Sequence, residues 1–513
     1  MKNSRWARGN QPARWALRSA VVTAVGLAAA TGLPAGLASA QASLGAPGAP
    51  SASGPMVKLI VAQKSINVPR FGKRVFIDPG VYVTAVGAPL QFNVQRANYA
   101  SPLTNTQIIR TPGGATIRRP LPDWTVKSWA GLHRFIRVTV KNAAGKIVAS
   151  NVGAFCPDSF SPQRSNPNAP ASSRFPQQCQ SDPFQLANAW GIQRGWGVDT
   201  GFISAKLPLG KYTITVNIVR LWQRFLNLTP RTSTATLKVK VVKQSQCPFP
   251  CITPASRHHA HAAHGTLPRL PANVPTLSNP SAASLPDLSP LPSWGIGTEH
   301  ARGKKPSDDV TFGATVWSGG NSRLDVEGFR SHGAPVMKAY QYYWKNGRII
   351  GRSRAGTMGF DNKPGHDHWH FEQFAQYRLL SKNKKTVVRS QKVGFCIAPT
   401  DPVNLLLPNA LWQPTFLGFG GACGSTSALW VQEEMPIGWG DTYEQFLPGQ
   451  AFNITHLPNG TYYIEIIANP ERVLHETNYH NDVSLRKIIL GGTPGHRTVK
   501  VPAIHGIDPE HMG

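Results

Sequence analysis

The sequence predicts an all-β protein built from two β-sandwich-like domains, related by an internal duplication and joined by an irregular linker. Three observations predict this. Short segments alternate apolar and polar residues, no long segment has helical periodicity, and one set of landmarks recurs in the same order in both halves. The 513 residues are enough for roughly three domains by length alone.

Residues 1–40 read as a signal peptide. Arg5, Arg8, Arg14 and Arg18 precede an apolar stretch from Ala20 to Ala30, and Ala38-Ser-Ala40 supplies small residues for cleavage near Gln41. The stretch is too short and too Gly/Ala-rich for a transmembrane anchor, and no later run could span a bilayer. The expected location is therefore secreted, extracellular or associated with the cell envelope. The Ala-, Arg- and Pro-rich leader is of a bacterial kind.

Residues 41–55, rich in Gly, Ala, Ser and Pro, are expected to be disordered. Residues 56–245 form the first sandwich. Leu90-Gln-Phe92-Asn-Val94 and Leu237-Lys-Val239-Lys-Val241 alternate as half-buried strands do. Phe135–Val140 runs through Lys141-Asn-Ala-Ala-Gly145 into Ile147 and Val148, a hairpin. Residues 246–284, rich in Pro, Ser, Ala and His, read as a linker. The strand pattern returns over 285–490, and 491–513 read as a flexible Gly/His/Pro-rich tail.

The recurrence has four landmarks. Asn151-Val-Gly-Ala-Phe-Cys156 matches Lys392-Val-Gly-Phe-Cys396, and a second cysteine follows at Cys179 and Cys423. Gly195-Trp-Gly-Val-Asp-Thr-Gly201 matches Gly438-Trp-Gly-Asp-Thr-Tyr443, and Leu207-Pro-Leu-Gly-Lys-Tyr212 matches Leu457-Pro-Asn-Gly-Thr-Tyr462. Each copy is then expected to hold its own bridge, Cys156–Cys179 and Cys396–Cys423. Six cysteines in an exported chain favour disulfides, and Cys247–Cys251 can close a small ring in Cys-Pro-Phe-Pro-Cys.

The net charge is +29, from 54 Lys+Arg against 25 Asp+Glu. Export and the lack of any nucleic-acid-binding motif argue against nucleic acid as the partner. Adhesion to an anionic cell envelope and simple solubility both fit, and charge alone does not separate them.

Pro364-Gly-His-Asp-His-Trp-His-Phe-Glu-Gln-Phe374 carries the candidate metal site. In an extended segment alternate side chains share a face, so His366, His368 and His370 would converge on one ion. Histidines at this spacing also suit a structural zinc site or a solvated strand face. The first copy differs here: Trp129-Ala-Gly-Leu-His-Arg-Phe135 keeps one histidine, His133, and Asn151 and Gly201 stand where the second copy has Lys392 and Tyr443. An inert first copy and an active second one are expected. His258, His259, His261 and His264 lie in the linker, without fixed geometry. Trp369 and Trp439 read as packing residues.

Residues 285–490 resemble the catalytic domain of lysyl oxidase. The H-x-H-x-H run is followed by Phe371-Glu-Gln-Phe-Ala-Gln-Tyr377, Lys392 lies four residues before Cys396, and Tyr443 ends Asp441-Thr-Tyr443, as in that family. The resemblance implies a copper-dependent amine oxidase, a protein-lysine or primary amine oxidase, with copper on the three histidines. Its lysine tyrosylquinone would form from Lys392 and Tyr443. It would turn a primary amine, including peptidyl lysine, into an aldehyde with O₂, releasing ammonia and H₂O₂.

The same resemblance makes residues 56–245 a degenerate copy. Asp441 is the implied base, because Gln376 stands where animal members have a histidine. The segment after His370 is also one residue shorter than in those members and lacks their cysteine. Calcium is implied as well, on Asp287, Leu288, Glu476, Asn478, Asn481 and Asp482, whose oxygens suit it; an Asn/Asp-rich turn is the plainer reading. The alternative to the oxidase is a non-enzymatic envelope-binding β-sandwich protein with a structural metal. A zinc hydrolase is disfavoured by the absence of an H-E-x-x-H pattern.

Overall fold

Alternation governs the strands. Thr234–Lys243 buries Ala235, Leu237, Val239 and Val241 and exposes the residues between them, and Gly210–Ile218 buries Tyr212, Ile214, Val216 and Ile218. The computed structural model describes residues 57–511 except 112, 160–161, 181, 245–273, 302–306, 332, 363–366, 391, 393 and 415–422. The signal peptide (1–40), residues 41–55, most of the linker and Cys247–Cys251 lie outside the described residues, as does His366.

The described chain is all-β, with helix limited to Arg220–Phe225, Pro230–Ser233 and brief 3₁₀ turns. The first half has three sheets. One runs Val57–Val61, Val81–Ala85, Trp196–Asp199, Gln163–Arg164. Another runs Ala187–Ile192, Leu90–Gln95, Thr104–Arg110, Thr116–Pro120. The largest runs Ile203–Ala205, Arg74–Ile77, Ser65–Phe71, Thr234–Lys243, Gly210–Ile218, Leu132–Asn142, Ile147–Phe155.

The second half repeats this order. Leu288–Pro290, Ser307–Ser318, Trp439–Tyr443 and Asp401–Pro402 form one sheet path. Trp430–Met435, Leu324–Phe329, Val336–Lys345, Arg348–Asp361 and His368–Phe371 form the next. Val483–Thr493, Gly460–Ala468, Ala375–Ser381 and Thr386–Arg389 correspond to the last four strands of the first half's largest sheet. Even a tyrosine contact recurs: the Tyr212 hydroxyl donates to Pro208 O at 2.9 Å and the Tyr462 hydroxyl to Pro458 O at 2.8 Å. The bridges Cys156–Cys179 and Cys396–Cys423 are both present.

Each half has its own apolar core, and Phe184, Leu291 and Val403 form a third cluster shared between them. Backbone bonds cross the junction, Leu186 N to Val403 O at 2.7 Å and Leu405 N to Ala187 O at 3.0 Å. Two expectations need correction. The tail is ordered through His511: His496–Lys500 pairs with Val483–Thr493, Ile504 and Ile507 pack on the shared cluster, and Glu510 accepts from Ile296 N at 2.8 Å. Strand pairing and apolar anchors override a Gly/His/Pro-rich composition there. The end of the linker also packs, with Leu277 N bonded to Arg352 O at 2.9 Å.

Candidate active site

His368–Phe371 is buried throughout and pairs with Arg348–Asp361, with Asp361 opposite His368 and Gly359 opposite His370. His368 and His370 alternate with Trp369, so both rings leave one face; their centroids are 4.7 Å apart and their planes cross at 74°. Trp369 points the other way, under the Arg330 guanidinium, and donates from Nε1 to Ser425 O at 2.9 Å. Asp361 Oδ2 lies 3.8 Å from His370 Nδ1. Two converging imidazoles suit a metal that prefers nitrogen ligands. Among the described residues no three His, Cys, Asp or Glu side chains form a metal shell, so the pair fits such a metal only as part of a set that His366 would complete.

Phe371 bridges Phe395, N to O at 2.8 Å, and this pairing draws the 392–396 segment against the histidine strand. Lys392 is buried, and its backbone N–H donates to Ser390 Oγ at 3.0 Å. Its Nζ lies 3.9 Å from the centroid of the Tyr443 ring and 4.9 Å from that of Phe395. The Tyr443 hydroxyl accepts from Cys396 N at 2.8 Å, and Phe395 meets the ring edge-on at 5.2 Å. In the first copy Asn151 is exposed where Lys392 is buried.

Asp441 precedes Tyr443 by two residues and shares its face of Trp439–Tyr443. Burial pushes its carboxyl well above the usual range, while the Lys392 charge pulls the other way. Burial and Asp441 likewise push the Tyr443 phenol up. Two acids here escaped sequence reasoning. Glu433 is fully buried, accepts from Ile397 N at 3.0 Å and is raised first by burial, with Asp441 adding to it. Its one signal was parity, since Val431, Glu433 and Met435 share the buried face of their strand. Asp182, from the first half, accepts from Thr315 Oγ1 at 2.6 Å, and Thr315 in turn contacts Thr442 Oγ1 at 2.9 Å. Burial pushes Asp182 up to about 7. Nothing local in Ser-Asp-Pro-Phe184 announced that role.

Residues 334–498 match the lysyl oxidase family model. Lysyl oxidase homolog 4 of Bos taurus is 27% identical over 138 residues, and that of Homo sapiens 28% over 138. Lysyl oxidase homolog 2 of Xenopus tropicalis is 25% identical over 139. These alignments cover 27% of this chain and 16% of each relative's length. The lysyl oxidase match contains the histidine run, Lys392, Asp441 and Tyr443; the first half lies outside it.

Gln376 does not share the face of its buried neighbour Tyr377, and it accepts from Arg378 Nε at 2.9 Å. The residues named for calcium come together in part. Glu476 accepts from Leu288 N at 2.9 Å, and Asn481 Nδ2 donates to Asp287 Oδ1 at 3.3 Å. Asn478 instead accepts from His480 N at 3.0 Å. Burial, with the neighbouring Asp482 and Asp287 charges adding, raises Glu476 to about 7, and burial raises Asp482 to about 6. Asn481 Oδ1 and Asp482 Oδ1 are buried without a hydrogen-bond partner among the described residues. Crowded, oxygen-only acceptors of this kind fit calcium.

Proposed function

We propose that this chain is an exported copper-dependent amine oxidase that converts primary amines, including peptidyl lysine, to aldehydes. The balance is one amine, one O₂ and one water giving aldehyde, ammonia and H₂O₂. One observation carries the reading: a buried lysine whose Nζ stands 3.9 Å from the centroid of a buried tyrosine ring, beside two converging imidazoles. His366, His368 and His370 would hold copper, which would supply redox chemistry with O₂ for a quinone cofactor drawn from Lys392 and Tyr443, its carbonyl being the electron sink.

The chain's own residues supply the rest. The Cys396 amide pins the Tyr443 oxygen, and Phe395 packs against the ring. Phe395 packs edge-on against both Tyr377 and Tyr443, and all three rings are buried. Asp441, whose proton affinity burial raises, would take the substrate's α-proton. Calcium on Asp287, Glu476, Asn481 and Asp482 would tie the start of the second half to the loop that precedes Val483–Thr493.

The test is phenylhydrazine labelling of the copper-loaded chain, read with peroxide release across a panel of amines and lysine peptides. A coloured adduct is expected, absent in Lys392→Ala and in Tyr443→Phe. An adduct that persists in either variant sinks the cofactor assignment. A copper-loaded chain with neither adduct nor peroxide leaves the non-enzymatic reading.

A further inference from the structure

The positive charge is not spread over the chain. Residues 57–244 hold 25 Lys+Arg against 5 Asp+Glu, whereas residues 274–513 hold 22 against 20. The half carrying Lys392 and Tyr443 is therefore near balance, and the excess sits on the half that lacks them. Within that half one sheet is cationic without any acid. No strand of the seven-stranded sheet contains Asp or Glu. Its outward face carries a groove of about 590 Å³ lined by Lys141, Lys211, Lys238 and Lys240, with Thr213 between Lys238 and Lys141 and Asn67 beside Lys240.

Strand register sets these cations side by side. Lys211 lies opposite Lys240, and Thr213 lies opposite both Lys238 and Lys141. Lys238 Nζ donates to Thr213 Oγ1 at 2.9 Å, which steadies one ammonium over the groove. Neighbouring strands and alternate residues space the stems of Lys211, Lys238 and Lys240 roughly 5–8 Å apart, with Lys141 one strand further on, about 8–10 Å away, so a linear polyanion crossing the strands meets several ammonium groups in turn. All four cations are lysines. A lysine is a point charge suited to phosphate, without the planar fork that arginine offers a carboxylate. Tyr212, the aromatic in the groove, is buried and gives its hydroxyl to Pro208 O. Bases would find no stacking platform.

We infer that this sheet face binds a base-free phosphodiester polymer, the polyol-phosphate chemistry of an anionic cell envelope. The first half is then an anchor that holds the second half at that surface. The inference does not depend on the oxidase reading.

The test uses the full chain with inorganic polyphosphate as probe and single-stranded DNA as competitor. K141Q/K211Q/K238Q/K240Q should weaken polyphosphate binding at least tenfold. A charge-matched set on the second half, K338Q/K345Q/K382Q/K487Q, should change it less than twofold. All eight side chains are exposed or half-exposed, and glutamine keeps most of the aliphatic stem, so both sets should melt like the parent. Equal weakening by the two sets overturns the proposal in favour of diffuse charge, and DNA binding tighter than polyphosphate overturns the base-free polymer. Peroxide release from a small amine should be the same in parent and groove variant, which separates this result from that of the oxidase test.

Discussion

A Cβ added at Gly394 would lie 2.7 Å from the Cβ of His370, whereas at the matching Gly153 it would meet nothing within 4 Å. The glycine of the Val-Gly-Phe motif thus lets the lysine segment press against the histidine strand in one copy only. Gly394→Ala should cost about 1–3 kcal/mol and lower bound copper, while Gly153→Ala leaves both unchanged; melting curves and metal analysis check this. Asp441 offers a second test. A base must be ionised to act, and burial raises this one, so the acid limb of the kcat profile should lie well above the ordinary carboxylate range. Asp441→Asn should remove that limb and lower kcat by about 10²–10⁴-fold. Lys392, Asp441 and Tyr443 stood out in the sequence only through the family resemblance, and the structure places Lys392 over the Tyr443 ring. Glu433 and Asp182 did not stand out, because their roles come from which distant strand or loop they face.

Trp439–Tyr443 works on both faces. Asp441 and Tyr443 turn inward, and Thr442 turns to Thr315 and through it to Asp182 of the first half. Asp182 is fully buried and raised to about 7 from an unfolded value near 3.8, so its protonated form favours the fold. That contribution is whole at acid pH and fades as pH climbs toward 7, by on the order of 3–4 kcal/mol. Asp182→Asn should flatten the fall in stability between about pH 4 and 7, as measured by denaturant titration; an unchanged slope would remove Asp182 from the account. The alternating strands and the 135–148 hairpin were plain in the sequence, because period-two burial depends on local residues alone. The ordered tail was not, since its anchors, Tyr99 and Phe184, lie in the first half.

At the scale of the molecule, four short landmarks revealed a repeated strand order that few identical residues support. They sit where backbone geometry is most demanding, at disulfides, turns and the tyrosine contact. The asymmetry of charge was hidden by the total of +29, which treats two unlike halves as one cationic body. Among the described residues no helix is long and apolar enough to cross a membrane. The C-terminal stretch closes over Arg486, a guanidinium 1% exposed that donates to Pro502 O at 2.5 Å and lies 3.4 Å from Glu510. A recombinant fragment cut to residues 334–498 would strip away both acceptors and also the Ser307–Ser318 partner of the Tyr443 strand. It would strand an ion in an oily interior, so domain-trimming guided by homology alone should yield inclusion bodies rather than folded protein.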